Sequence, residues 1–203
     1  MPSTPKGHRT EAAFLDAARQ VFAEKGYFNA KISDIAKAAG KSPGSLYNYY
    51  ENKEQLLEAL LERFSGEVLE ASFSSQSDDL MESIRGAVRA YWFGYRKYLA
   101  EMVGLFQMSM TDEAFAERWR AVRAAGIRSV LSGIKNAERS GYRIGLDQEV
   151  LASAIVAMLE SFCWVWLAAG GDTDVAAPDD ETAIETLSTL WYRTVYHDRA
   201  PQN

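Results

Sequence analysis

Between Ile32 and Lys53 the chain reads ISDIAKAAGKSPGSLYNYYENK, and no other stretch narrows the fold as far. Ile32, Ile35, Ala36 and Ala39 form one buried stripe at helical spacing. Gly40 ends that helix, because glycine enters the left-handed region without steric cost. Ser42 is a natural N-cap, and Pro43 takes the first helical position, where a missing N–H costs nothing. The second helix is brief. With Leu46 and Tyr49 or Tyr50 turned inward, Pro43, Gly44, Ser45, Tyr47 and Asn48 are left outward. Helix, glycine turn and second helix make the helix-turn-helix plan, whose second helix enters the major groove of DNA.

Two short helices around a glycine also occur in ordinary helical domains. What favours nucleic acid is the outward chemistry. Small residues at the start of the second helix let its backbone approach a duplex. Asn48 can pair bidentately with adenine, and Tyr47 can hydrogen-bond a phosphate. Lys53 sits just beyond, where a third helix begins.

The run from Arg9 to Phe64 resembles the N-terminal domain of the tetracycline-repressor (TetR) family of transcriptional regulators. The matching pieces are FLDAARQVFAEKGY (14–27), DIAKAAG (34–40), SPGSLYNYY (42–50) and NKEQLL (52–57), in the family's order and spacing. The resemblance implies an all-α homodimer. An N-terminal three-helix helix-turn-helix DNA-binding head is expected over residues 1–53, with an arm at 1–8. A C-terminal helical ligand-binding and dimerisation bundle is expected over 54–203. By motif position, Tyr47 and Lys53 would hold phosphates, and Ser42, Pro43, Gly44, Ser45 and Asn48 would face the groove. Two positions depart from the family pattern. Lys31 stands where a capping Thr or Ser is usual, and Lys41 where a small apolar residue follows the turn glycine. Both lysines are placed to meet the DNA backbone instead.

Net charge is −6, which taken alone argues against a polyanion, but the charge is uneven. Residues 1–53 carry eight basic and five acidic side chains; the rest of the chain carries fourteen and twenty-three. Phosphate attraction acts within roughly 10 Å at ordinary salt, so the sign of the head decides. The N-terminus MPSTPKGHRTE lacks the apolar core of a secretory signal, and the sequence shows no run of eighteen apolar residues, so no membrane association is expected. The single Cys163 excludes an intrachain disulfide and suits the reducing cytoplasm.

Helical periodicity continues to the C-terminus. Helices are expected over 10–25, from Lys53 to about Ser72, from Leu80 to about Leu99, over 103–110, from Asp112 behind a Thr111 cap to Gly141, from Asp147 past Trp166, and from Glu181 to about His197. The first of these braces the helix-turn-helix. The second runs from head to body as a lever. GGDTDVAAPDD (170–180) reads as a loop. No strand alternation is visible.

The body is rich in large amphipathic side chains. Tyr91, Trp92, Tyr95, Phe106, Met110, Trp119, Phe162 and Trp166, with Gln107 as an orienting amide, read either as core or as the lining of an apolar pocket for a small-molecule effector. The family places its pocket in the corresponding middle helices. It assigns the last two helices to dimerisation, here through Leu159, Phe162, Leu187, Leu190, Trp191 and Val195. Two heads on a two-fold axis would read half-sites of a palindromic duplex operator about 34–36 Å apart, and a ligand favouring a mismatched head arrangement would release DNA.

The enzymatic alternative has little to stand on. The only histidines are His8 and His197. There is no HExxH, no GxSxG, no phosphate-binding glycine loop and no cysteine cluster, so no catalytic residue, metal or cofactor is expected. Glu160, on an apolar helix, is expected to pair with an arginine or meet a cationic ligand. Arg85, Arg89, Arg96, Arg123 and Arg128 are the candidates for an anionic one.

Overall fold

Every helix in the computed structural model, which describes residues 4–199, starts or stops on identifiable local chemistry. The helices are α1 (Pro5–Lys25), α2 (Ile32–Ala38), α3 (Pro43–Tyr47), α4 (Lys53–Ser74), α5 (Leu80–Lys97), α6 (Leu99–Ser109), α7 (Glu113–Arg139), α8 (Gln148–Cys163) with a π-helical continuation at Trp164–Ala168, and α9 (Asp180–Val195). Extended pairing among the described residues is confined to an isolated bridge between Tyr142 and Arg199.

Several boundaries differ from the sequence reading. Helix α1 begins at Pro5, because Thr4 Oγ1 accepts the Gly7 N–H at 3.1 Å and proline fits the first helical position. Residues 5–8, expected as an arm, are therefore helical, and 1–3 lie outside the described residues. Asp112, not Thr111, caps α7, its Oδ1 accepting from Ala114 N at 2.9 Å. Helix α6 starts four residues earlier than expected, directly after a break at Tyr98 (φ −110°, ψ 29°).

The chain divides into two compact units, residues 1–64 with 98–119, and residues 65–97 with 120–203. The first unit is built on α1, whose Phe14, Ala17, Ala18, Val21 and Phe22 are buried. Leu56, Leu57, Leu60, Leu61 and Phe64 bury the matching stripe of α4. Each such side chain contributes about 1.5–3 kcal/mol relative to exposure. Helix α6 adds Met102 and Leu105, and it carries Gly104, where a Cβ would lie 2.7 Å from Tyr27 Cβ. One acid is sealed into this unit: Glu101 of α6 is 1% exposed, and neither carboxyl oxygen has a hydrogen-bond partner. Burial pushes its pKa up to about 7, opposed by its own backbone N–H and by the Arg19 charge on α1.

In the second unit, α5 and α9 pack through Ile84, Val88, Trp92 and Tyr95 against Ala183, Ile184, Leu187 and Ser188, all buried. A ladder of ion pairs sets their register: Arg85 to Glu185, Arg89 to Glu181 and Arg96 to Asp180. Asp180 also accepts the Trp92 Nε1–H at 2.9 Å. Such exposed pairs contribute at most about 1 kcal/mol each, so they specify alignment more than they add strength. A second core joins Val130, Ile134, Ala152, Ile155 and Val195. Between α7 and α8 lies a nearly buried ion pair, Arg123 with Glu160, the arginine partner expected for that acid.

Candidate nucleic-acid interface

The turn between α2 and α3 is set by one residue. Gly40 sits at φ +65°, its N–H donates to Lys37 O at 3.0 Å, and the Lys41 N–H donates back to Ala36 O at 2.9 Å. This crossed pair of bonds terminates α2 and satisfies carbonyls the helix end would orphan. Ser42 then caps α3, its Oγ accepting from Ser45 N at 3.2 Å. At the other end of α2, Lys31 occupies the N-cap without a capping side-chain bond. The role passes to Asp34, whose Oδ2 accepts the Lys31 N–H at 3.3 Å and pairs with Lys25 Nζ at 2.8 Å. The Lys25 hydrogen bond is the largest cause holding the Asp34 carboxyl below its ordinary range. This one-sided capping from the third helical position is readable from the Lys31–Asp34 spacing.

Helix α3 is held from beneath by Leu46, which is fully buried, and by Tyr49, whose ring lies 5.5 Å from Phe14. Lys31, Lys41, Ser42, Pro43, Gly44, Tyr47 and Asn48 are exposed, and Ser45 is half-buried. A Cβ on Gly44 would meet nothing within 4 Å, so the backbone there is bare. The candidate groove-facing residues therefore share one open face, presented by the first turn of α3 and its two flanks.

Lys53 is placed differently from the expectation. Its ammonium donates to Tyr27 O at 2.8 Å and to Phe28 O and Ala30 O at 3.2 Å, and lies 4.5 Å from the Tyr27 ring centroid. Three carbonyls occupy three donors, so in this arrangement none is left for a phosphate. Burial lowers its pKa. The side chain ties the α1–α2 connection to the start of α4.

The nine candidates for an effector pocket are shared between the two units. Tyr91, Trp92, Tyr95, Phe162 and Trp166 belong to the second unit; Phe106, Gln107, Met110 and Trp119 belong to the first. Trp92, Phe162 and Trp166 pack in sequence with tilted rings at 6.0 and 6.1 Å, while Trp92 and Tyr95 are buried. Phe106 packs on Trp119 at 5.5 Å. Gln107 and Met110 are exposed. A cleft of about 400 Å³ does lie in the second unit, between α4 and α5. None of the nine lines it.

The dimer candidates also separate. Leu159, Leu187 and Val195 are buried by the chain's own packing, so they form core rather than surface. Phe162 and Trp191 are half-buried, and Leu190 is open. The α8 helix with its π turn, 148–168, is by length and mean composition apolar enough to cross a membrane, although Ser153, Glu160 and Ser161 interrupt its apolar residues. Its unburied face carries Val150, Ala154, Ala157 and Ser161.

Comparison with known proteins agrees with this geometry. Residues 14–60 match the profile of the tetR family of bacterial regulatory proteins. The chain is 28% identical over 177 residues to the transcriptional repressor AcnR of Corynebacterium glutamicum, covering 84% of this chain and 87% of that one. It is 28% identical over 208 residues to the transcriptional repressor KstR2 of Rhodococcus jostii, covering 93% and 91%. In fold it is similar to the crystal structure of a TetR-family regulator from Rhodococcus sp., with a TM-score of 0.76 at 20% identity over 92% of this chain and 98% of that one.

Proposed function

We propose that this chain, which belongs to the TetR family of bacterial regulatory proteins and is a DNA-binding transcriptional regulator, not an enzyme, is a homodimeric repressor, acting in the cytoplasm on a palindromic operator and released by a small, largely apolar or aromatic ligand. The observation that carries the proposal is the open face around α3. Pro43, Gly44, Ser45, Tyr47 and Asn48 stand on a helix fixed by a glycine turn, a serine cap and a buried Leu46. Asn48 reads a base edge, Tyr47 holds a phosphate, and Lys31 and Lys41 flank them as backbone contacts. Lys53 acts by positioning rather than by touching DNA.

Dimerisation uses the outer face of α8 and α9, Val150, Ala154, Ala157 and Leu190 with the half-buried Phe162 and Trp191. Small residues permit close helix approach, and burial of this face answers the apolar excess of α8. Helix α4 gives its first half to one compact unit and its second half to the other. It is one covalent route by which a ligand could bias the heads.

Selection of randomised duplexes by the purified protein tests the proposal. Enrichment of an inverted repeat, abolished by Tyr47→Ala or Asn48→Ala, supports it. Absence of enrichment at low salt, before and after refolding to strip any bound ligand, refutes it.

A further inference from the structure

The cleft between α4 and α5 has a definite construction. At one end the helices nearly touch, since a Cβ on Gly86 would lie 2.1 Å from Ser75 Oγ. Away from that crossing they leave a half-open trough of about 400 Å³. Its walls are apolar and small, Val68 and Ala71 on α4 and Ala90, Phe93 and Gly94 on α5. Phe93 is 39% exposed, with the Arg96 guanidinium 5.4 Å from its ring centroid. At the wide end Lys97 Nζ meets Glu67 Oε2 at 2.7 Å, a strut across the opening. From Gly86 to Lys97, α5 advances about 16 Å. Apolar walls that could close on one another are thus propped apart, a pre-formed shape that costs a ligand little reorganisation.

Charge selects the ligand. Arg89 lines the cleft and holds Glu181 through one N–H of each terminal nitrogen, at 2.9 and 3.0 Å. A guanidinium has five donors, so Arg89 can accept a second anion without releasing Glu181. The one acid among the lining residues, Glu67, already faces Lys97, and a cationic ligand would have to displace that lysine.

We propose that this cleft binds an elongated apolar monocarboxylate, its carboxylate on Arg89 and its hydrocarbon along Val68, Ala71, Ala90 and Phe93. Only the consequence for DNA rests on the regulator reading, because the second half of α4 forms one wall. Binding itself does not.

Isothermal titration of the full chain with decanoate and decyltrimethylammonium, each below its micelle concentration, and with decanol below its solubility limit, decides it. Decanoate is expected to bind saturably, one per chain, and more tightly than the other two. Ala71→Trp and Ala90→Trp, which fill the cleft from opposite walls, should each weaken it at least tenfold while leaving the helical circular dichroism intact. Arg89→Gln should weaken it about tenfold to a hundredfold, the loss of a charge-assisted hydrogen bond. Glu181→Gln, which breaks the same ion pair from the other side, should bind at least as tightly as the parent. No saturable binding, equal binding of decanol, or folded tryptophan variants that bind unchanged would overturn the assignment. Operator binding without ligand, measured separately, tests the regulator reading alone.

Discussion

Replacing Glu101 by Gln should stabilise the protein, and the gain should grow with pH. The carboxyl is 1% exposed and unpartnered, and its pKa rises from 4.5 to about 7, chiefly through burial. A folded pKa above the unfolded one means that the folded state holds the proton more tightly. Below 4.5 both states are protonated and ionisation contributes nothing. Between 4.5 and 7 unfolding releases a proton, so stability falls as pH rises. Above 7 the folded state carries the full cost of a buried charge. A shift of about two and a half pH units corresponds to about 3 kcal/mol. Glutamine keeps the shape and cannot ionise. Its unpartnered amide matches the unpartnered protonated acid, so the two should be nearly equal in acid. Urea unfolding of parent and variant at one fixed protein concentration, from pH 5.5 to 8, reads the difference directly. The advantage of Gln should rise from about 1.5 to about 3 kcal/mol across that window. A difference that stays flat with pH, or a variant less stable throughout, would show that Glu101 is not a buried, high-pKa acid.

Three further substitutions bear on other sites. Lys53→Met should lower the melting temperature by removing three hydrogen bonds of about 1 kcal/mol each, yet leave the salt dependence of operator binding unchanged; a slope reduced by about one would mean that Lys53 does meet a phosphate. Arg123→Ala should cost about 3–5 kcal/mol by stranding the Glu160 carboxylate, and Arg123→Met with Glu160→Leu should recover most of it; denaturant midpoints that place the double variant below the single would refute this. Gly104→Ala should destabilise by about 1–3 kcal/mol through overpacking on Tyr27, and an unchanged melting temperature would contradict the close approach.

The helix-turn-helix was legible because its determinants are local. A left-handed glycine, a serine cap and a proline at the first helical position act within a few residues, so no distant partner need be known. The same local logic was available at Thr4–Pro5, where the polar composition of PKGH obscured it. Lys53 shows the opposite case. Its partners are carbonyls at 27, 28 and 30, and a cluster of backbone acceptors leaves no trace in residue identity. On α8 and α9 the apolar spacing correctly marked two faces, but periodicity cannot say which face meets the chain's own α5 and α7 and which is left over. Large residues went inward at Leu187 and Val195, while the outer face of α8 is made of Ala154 and Ala157. The α4–α5 cleft was hidden for a related reason: it is defined by glycine and alanine, by what is absent rather than by what is present.

The ladder joining α5 to α9 fixes more than two helices. Asp180 answers to Trp92 and Arg96, Glu181 to Arg89 and Glu185 to Arg85, so the rotational phase of α9 is set by α5, while its start is capped by Asp179, whose Oδ1 accepts the Thr182 N–H at 2.8 Å. The exposed stretch from 172 to 177 is thereby relieved of any duty to measure distance. Doubling the length of such a connection costs only about 0.6 kcal/mol in closure entropy. It is a place where lineages can lengthen or rewrite the chain without consequence for the bundle, and where an epitope or a fluorescent reporter can be spliced in.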